Sequence, residues 1–133
     1  MTAAPSDLVG AWRLESYVGV EEDGRVVEGP LGPDPAGLLI YSADGHVSVS
    51  MMRTDSEAEA TRFMGYAGTW RLDGEQVVHA VSVSSHGYMI GSRQVRDLAL
   101  ADGRLTLSGS AGAAGGPRQR RVLTWRRTEG NQP

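Results

Sequence analysis

Four polar side chains of this chain share strand parity with apolar residues, where a side chain is most often held for a purpose. His79 lies in Val77-Val-His-Ala-Val81, Tyr66 in Tyr66-Ala-Gly-Thr-Trp70, and Gln94 and Arg96 in Gln94-Val-Arg-Asp-Leu98. A neutral imidazole exchanges protons near pH 7, a guanidinium stabilises an anionic oxygen, and a phenol does either. In one cavity, His79 would move a proton while Arg96 or Tyr66 stabilises a developing oxyanion. The same residues would equally fix the polar end of a bound molecule. Competing chemistries find little support. Ser48, Ser50, Ser82 and Ser84 lie outside any nucleophile elbow, and paired inward carboxylates for glycoside hydrolysis are missing.

Composition narrows the classes further. The 133 residues suit one domain with a single core. Cysteine is absent, so no disulfide framework, thiolate nucleophile or sulfur-based zinc site can form. All 13 basic residues are arginine, which removes lysine Schiff-base and lysine general-base chemistry. The formal charge is −3, and the one basic run, residues 118–127, alternates with apolar residues as a strand does, so no nucleic-acid partner is expected. No apolar segment approaches the ~20 residues of a membrane helix, and the N-terminal residues lack signal-peptide character. A cytoplasmic protein without a membrane partner, monomeric or homodimeric, is the simplest expectation.

The elements that must position those residues are strands. Asp-Gly occurs at Asp23-Gly24, Asp44-Gly45, Asp73-Gly74 and Asp102-Gly103, each between runs rich in β-branched and aromatic residues. Four tight hairpins imply about eight strands in an antiparallel meander, which at this number closes into a barrel without free edges. A β-sandwich is the competing architecture. One short helix is expected over residues 54–64, where Ser56 and Glu59 form a capping-box pattern ahead of Ala58, Ala60 and Phe63. The barrel domain is expected over residues 7–128, with flexible termini at 1–6 and 129–133.

Each Asp-Gly, taken as a two-residue type I′ loop, sets which residues share a face. The turn at Asp44-Gly45 then groups Leu39, Tyr41, His46, Ser48, Ser50 and Met52. The turn at Asp73-Gly74 puts Tyr66, Trp70, Val77, His79 and Val81 inside, with His79 across from Gly68. The turn at Asp102-Gly103 puts Leu98, Leu100, Leu105, Leu107 and Arg96 inside, with Arg96 across from Gly109. Alternation in the first strand places Trp12, Leu14, Ser16, Val18 and Val20 inside. Trp12 and Trp70 are expected to be buried core aromatics. By this parity no mid-barrel carboxylate faces Arg96, which leaves a ligand oxygen or trapped water to meet its charge. For His79, a core histidine bonded to Tyr66 or Ser16 is the alternative.

These stretches together resemble the lipocalin-like domain family of small bacterial and fungal proteins. The likeness lies in Leu8-Val-Gly-Ala-Trp-Arg-Leu14, Gly32-Pro-Asp-Pro35, Gly37-Leu-Leu-Ile-Tyr-Ser-Ala-Asp-Gly-His-Val-Ser-Val49, Met52-Arg53, Tyr66-Ala-Gly-Thr-Trp70, Val77-Val-His-Ala-Val81, Gln94-Val-Arg96, Gly103-Arg-Leu-Thr-Leu-Ser108 and Leu123-Thr-Trp-Arg-Arg127. The resemblance implies an up-and-down lipocalin-type barrel with a central cavity. It also implies that an arginine of the last strand, Arg126 or Arg127, packs over Trp12. Lipocalin-like barrels in natural-product pathways include cofactor-free cyclases and isomerases.

Two functions follow as expectations. The first is a barrel holding an apolar or aromatic small molecule against Trp12, Val18, Tyr41, His46, Trp70, Val81, Gln94, Leu98 and Trp125. The second is a cofactor-free cyclase or isomerase acting on a polyketide-like or terpenoid-like substrate, with His79, Arg96 and Tyr66 as its catalytic residues. Neither requires a metal or cofactor, and haem ligation by His79 is a lesser third reading.

Overall fold

A computed structural model of the protein describes residues 3–57, 61–111 and 119–128. The described residues form nine antiparallel strands: β1 (Gly10–Glu21), β2 (Val26–Glu28), β3 (Ala36–Tyr41), β4 (His46–Met52), β5 (Phe63–Asp73), β6 (Gln76–Ser84), β7 (Arg93–Ala101), β8 (Arg104–Ala111) and β9 (Gln119–Arg127). Their order is β2-β1-β3-β4-β5-β6-β7-β8-β9, and β1 also pairs with β9 from Trp12↔Arg127 to Glu21↔Gln119. That last pairing closes an eight-stranded barrel of β1 and β3 to β9, with β2 left outside as the return arm of a hairpin. The sandwich alternative is thereby set aside.

The four Asp-Gly sites build three different turns. Asp102 and Gly103 occupy a two-residue loop with φ of 53° and 76°, the type I′ geometry, and the expected pairs Leu100↔Leu105 and Leu98↔Leu107 form. At Asp73-Gly74 the loop is Gly74-Glu75, so Leu72 pairs with Val77 and Trp70 with His79. That slip of two residues keeps the side chains through Val81 on their expected face, although Gly68 now opposes Val81 and a bulge at Ser82 pairs Tyr66 with Ser84. At Asp44-Gly45 the backbone closes from Ser42 to His46 around a three-residue loop, with Gly45 at φ +94°. Tyr41 therefore pairs with Val47 and Leu39 with Val49. A slip of one residue inverts β4: Val47, Val49 and Met51 are buried, while His46, Ser48, Ser50 and Met52 face solvent.

A β-bulge in β1, between Leu14 and Ser16, has the same consequence there. Glu15 turns outward to meet Arg104 and Arg126 at 2.8 and 3.0 Å. Beyond it Tyr17 and Gly19 are buried, and Val18 and Val20 take the outward parity. The helix expected over 54–64 does not form in the described part of that span: residues 54–57 are irregular, and Phe63 and Met64 begin β5. Arg53 fixes this connection by bonding Asp55 and the Pro30 carbonyl. Ala58, Glu59 and Ala60 lie outside the described residues, as do residues 129–133.

The α-helix sits instead at Pro5–Leu8, within and beyond the segment expected to be flexible. Proline supplies its first helical residue, and the Ala4 N–H donates to Asp7 Oδ2 at 2.8 Å. Leu8 is fully buried, and its carbonyl accepts the Trp12 indole N–H at 2.9 Å. This helix therefore marks the end of the barrel where β1 starts and β9 finishes. Among the described residues no helix is long and apolar enough to cross a membrane.

Candidate functional site

The other end of the barrel holds a cavity of about 190 Å³. Its apolar wall includes Leu39, Val49, Met51, Met64, Leu107 and Leu123. Its polar wall includes Tyr17, Tyr66, His79, Gln94, Arg96 and Arg121, and no aspartate or glutamate lines it among the described residues. Tyr88, 79% exposed on the 3₁₀ turn Gly87–Met89, marks where the cavity meets solvent. Met89 of the same turn is buried against it.

His79 is the centre of the polar wall. Its Nε2 lies 2.7 Å from Tyr41 Oη and its Nδ1 2.6 Å from Tyr66 Oη, so both ring nitrogens are engaged. Burial, aided by the positive charge of Arg96, pushes the His79 pKa down to about 3. The imidazole is thus neutral at physiological pH. Burial raises both phenols above their ordinary range, with Arg96 pulling Tyr66 the other way.

Arg96 reaches the cavity by lying over Gly109, where a Cβ would stand 3.1 Å from its Cδ and 3.2 Å from its Nη1. The expected juxtaposition across these strands therefore forms. Its guanidinium donates to the Val95 carbonyl at 3.0 Å and to Gln94 Oε1 at 2.7 Å. Gln94 is oriented in turn by donating from Nε2 to Ser92 Oγ at 2.9 Å. Arg121 donates to Gln119 Oε1 at 2.9 Å and lies 3.4 Å from Tyr17 Oη. Among the described residues neither Arg96 nor Arg121 has a carboxylate partner; the arginine ion pairs involve Arg53, Arg71, Arg104, Arg120 and Arg126.

Of the residues expected at the site, Tyr66, His79, Gln94, Arg96 and Trp125 line this cavity together. Tyr41 stands behind His79 and is fully buried. Trp12 belongs to the opposite end, buried under Leu8, with the Arg127 guanidinium 4.2 Å above its ring. Trp70 is only partly buried; it packs on Tyr41 with ring centroids 4.7 Å apart and donates to the Ser42 carbonyl. Val81 is buried and Leu98 half-buried, and neither lines the cavity. His46 and Val18 are corrections. The three-residue loop turns His46 into solvent beside Asp44, its side chain 66% exposed, and the bulge at Glu15 turns Val18 away from the interior.

Tyr17 and Arg121 complete the polar wall and were not expected there. Arg121 was legible, because it shares the parity of Leu123 and Trp125. Tyr17 was not, because the bulge that turns it inward leaves no mark in the alternation. Trp125 adds one more unusual feature: its buried indole N–H has no acceptor among the described residues.

A closed up-and-down barrel with an apolar cavity, a few polar groups and a tryptophan sealed under an arginine is a lipocalin-type architecture. The chain belongs to the lipocalin-like domain family, whose model matches residues 9–128. Among curated protein sequences no match to the chain is found.

Proposed function

We propose that this protein binds a small apolar or aromatic molecule in the cavity, with the polar end of the ligand toward Arg96 and Tyr66. The observation that carries this reading is the pairing of an apolar wall with a compact donor set in a space of about 190 Å³. An engineered apolar cavity of ~150 Å³ takes up benzene, so a body of one or two fused rings fits. Catalysis by His79 as a cyclase or isomerase base is less well supported. Both of its nitrogens already bond tyrosines, and its depressed pKa makes it a weak base. Haem ligation would likewise require breaking one of those bonds.

The test is native mass spectrometry of the protein against one- and two-ring aromatic compounds, with Leu107→Trp as a cavity-filling variant whose fold is checked by circular dichroism. One-to-one complexes in the wild type that vanish in Leu107→Trp are expected. Complexes of equal abundance in both would overturn the reading.

A further inference from the structure

We infer that the cavity selects an acidic ligand, an apolar one- or two-ring body carrying a carboxylate or comparable anionic oxygen, which Arg96 and Tyr66 hold together. This rests on the small-molecule reading above and goes on to name the charge of what is bound.

The first support is the balance of donors and acceptors. Arg96 and Arg121 bring two half-buried guanidinium groups to a cavity whose described wall has no carboxylate. A cation in a partly enclosed space is costly unless an anion or oriented acceptors meet it. Arg96 uses one N–H on Val95 and one on Gln94, which leaves three of its five donors. A planar fork with spare donors is the geometry that takes a carboxylate through two parallel bonds. Gln94 and Ser92 hold that fork in place from behind.

The second support is the proton arrangement along Tyr41, His79 and Tyr66. A neutral imidazole has one N–H and one bare nitrogen, so one phenol donates to it and the other accepts from it. Tyr41 is 1% exposed, does not line the cavity and has His79 as the partner of its hydroxyl. If Tyr41 accepted, its own hydrogen would be buried without a partner among the described residues, at a cost of about 1–3 kcal/mol. We therefore assign the Tyr41 O–H as donor to Nε2 and the Nδ1–H as donor to Tyr66 Oη. The Tyr66 hydrogen is then free, and Tyr66 lines the cavity. His79 thus acts as a positioning residue that presents Tyr66 as a donor. Two independent groups on neighbouring faces, Tyr66 and Arg96, offer hydrogen and ask for oxygen.

The experiment is isothermal titration at pH 7 with a matched pair of probes, 2-naphthoate and naphthalene-2-methanol, which share a skeleton and differ in charge. The wild type should bind naphthoate at least ~10-fold more tightly, the scale of one hydrogen bond to a charged group. Arg96→Met should erase that preference, costing naphthoate about 10-fold more than it costs the alcohol. Arg96→Lys, keeping charge without the fork, should fall between. Tyr66→Phe should weaken naphthoate by ~5-fold or more. Circular dichroism checks each variant, and Arg96→Lys with Tyr66→Phe decides the matter if Arg96→Met does not fold. Equal affinity for both probes, or a preference unmoved by these substitutions, would overturn the inference and leave the small-molecule reading standing. Binding of neither probe would overturn both.

Discussion

Two fully buried tryptophans stand at different levels of the same barrel, and their surroundings differ in kind. Trp12, at the end covered by the short helix, gives its N–H to the Leu8 carbonyl, and the Arg127 guanidinium stands over its ring. Arg127 in turn donates to the carbonyls of Asp7 and Val9 and keeps its charge exposed to solvent. Gly10 makes room for this: at φ +131° it has no Cβ, which would stand 2.9 Å from Arg127 Nη1. Trp125 lines the cavity with an N–H bonded to nothing described, near arginines that sit half-buried without a carboxylate. Both regions combine tryptophan with arginine. The first has its buried indole N–H bonded and its guanidinium open to water, whereas the second keeps an unbonded buried indole N–H and spare donors on half-buried guanidiniums. Residue type therefore does not separate a structural cluster from a binding site here, whereas the burial of unsatisfied donors does.

The largest effect should come from the helix-covered end. Trp12→Ala removes a fully buried indole and should lower the unfolding free energy by about 3–5 kcal/mol, measured by urea denaturation. A loss under about 1 kcal/mol would break the contrast, because that end would then not be holding the barrel closed.

A smaller, pH-dependent effect sharpens the other side. An unfolded chain protonates His79 near its ordinary pKa of 6.5, whereas the folded protein resists until about 3. Unfolding therefore takes up a proton in that window, and stability present above pH 6.5 is lost as pH falls toward 3. The slope from this one group is up to about 1.4 kcal/mol per pH unit. His79→Gln should flatten the profile between pH 7 and 5 by that amount. Below about pH 4 the carboxylates of Glu15 and Asp55, held low by hydrogen bonds from arginine, and of Asp97, held low by Gln76 and then Arg120, add their own loss in both proteins. Parallel wild-type and variant profiles from pH 7 to 5 would show that the histidine is not kept neutral by the fold.

How far the sequence disclosed this arrangement depended on the parity of each error. The turn at Asp102-Gly103 was read correctly, and it delivered Arg96 over Gly109. The turn at Asp73-Gly74 was misread by two residues, an even slip that left His79 and Tyr66 on the inner face. The turn at Asp44-Gly45 was misread by one, and an odd slip sends every side chain of β4 to the other side. The remedy lay in the pattern itself, since Val47, Val49 and Met51 match the inner set Leu39 and Tyr41 better than His46 and the serines do. A three-residue loop also ends in a left-handed glycine, so Asp-Gly alone does not fix loop length. The bulge at Glu15 had no comparable signature, which is why Tyr17 entered unannounced and Val18 was misplaced.

The most direct test of the contrast between the two ends is the stability of Arg96→Met without any ligand, by urea denaturation at pH 7. A residue kept to meet a ligand is a burden to the empty fold, because a half-buried unpaired cation gives way to an apolar chain of similar length. The variant should match the wild type within about 0.5 kcal/mol or exceed it. A loss of about 2 kcal/mol or more would contradict the account, since it would make Arg96 part of what holds the barrel together.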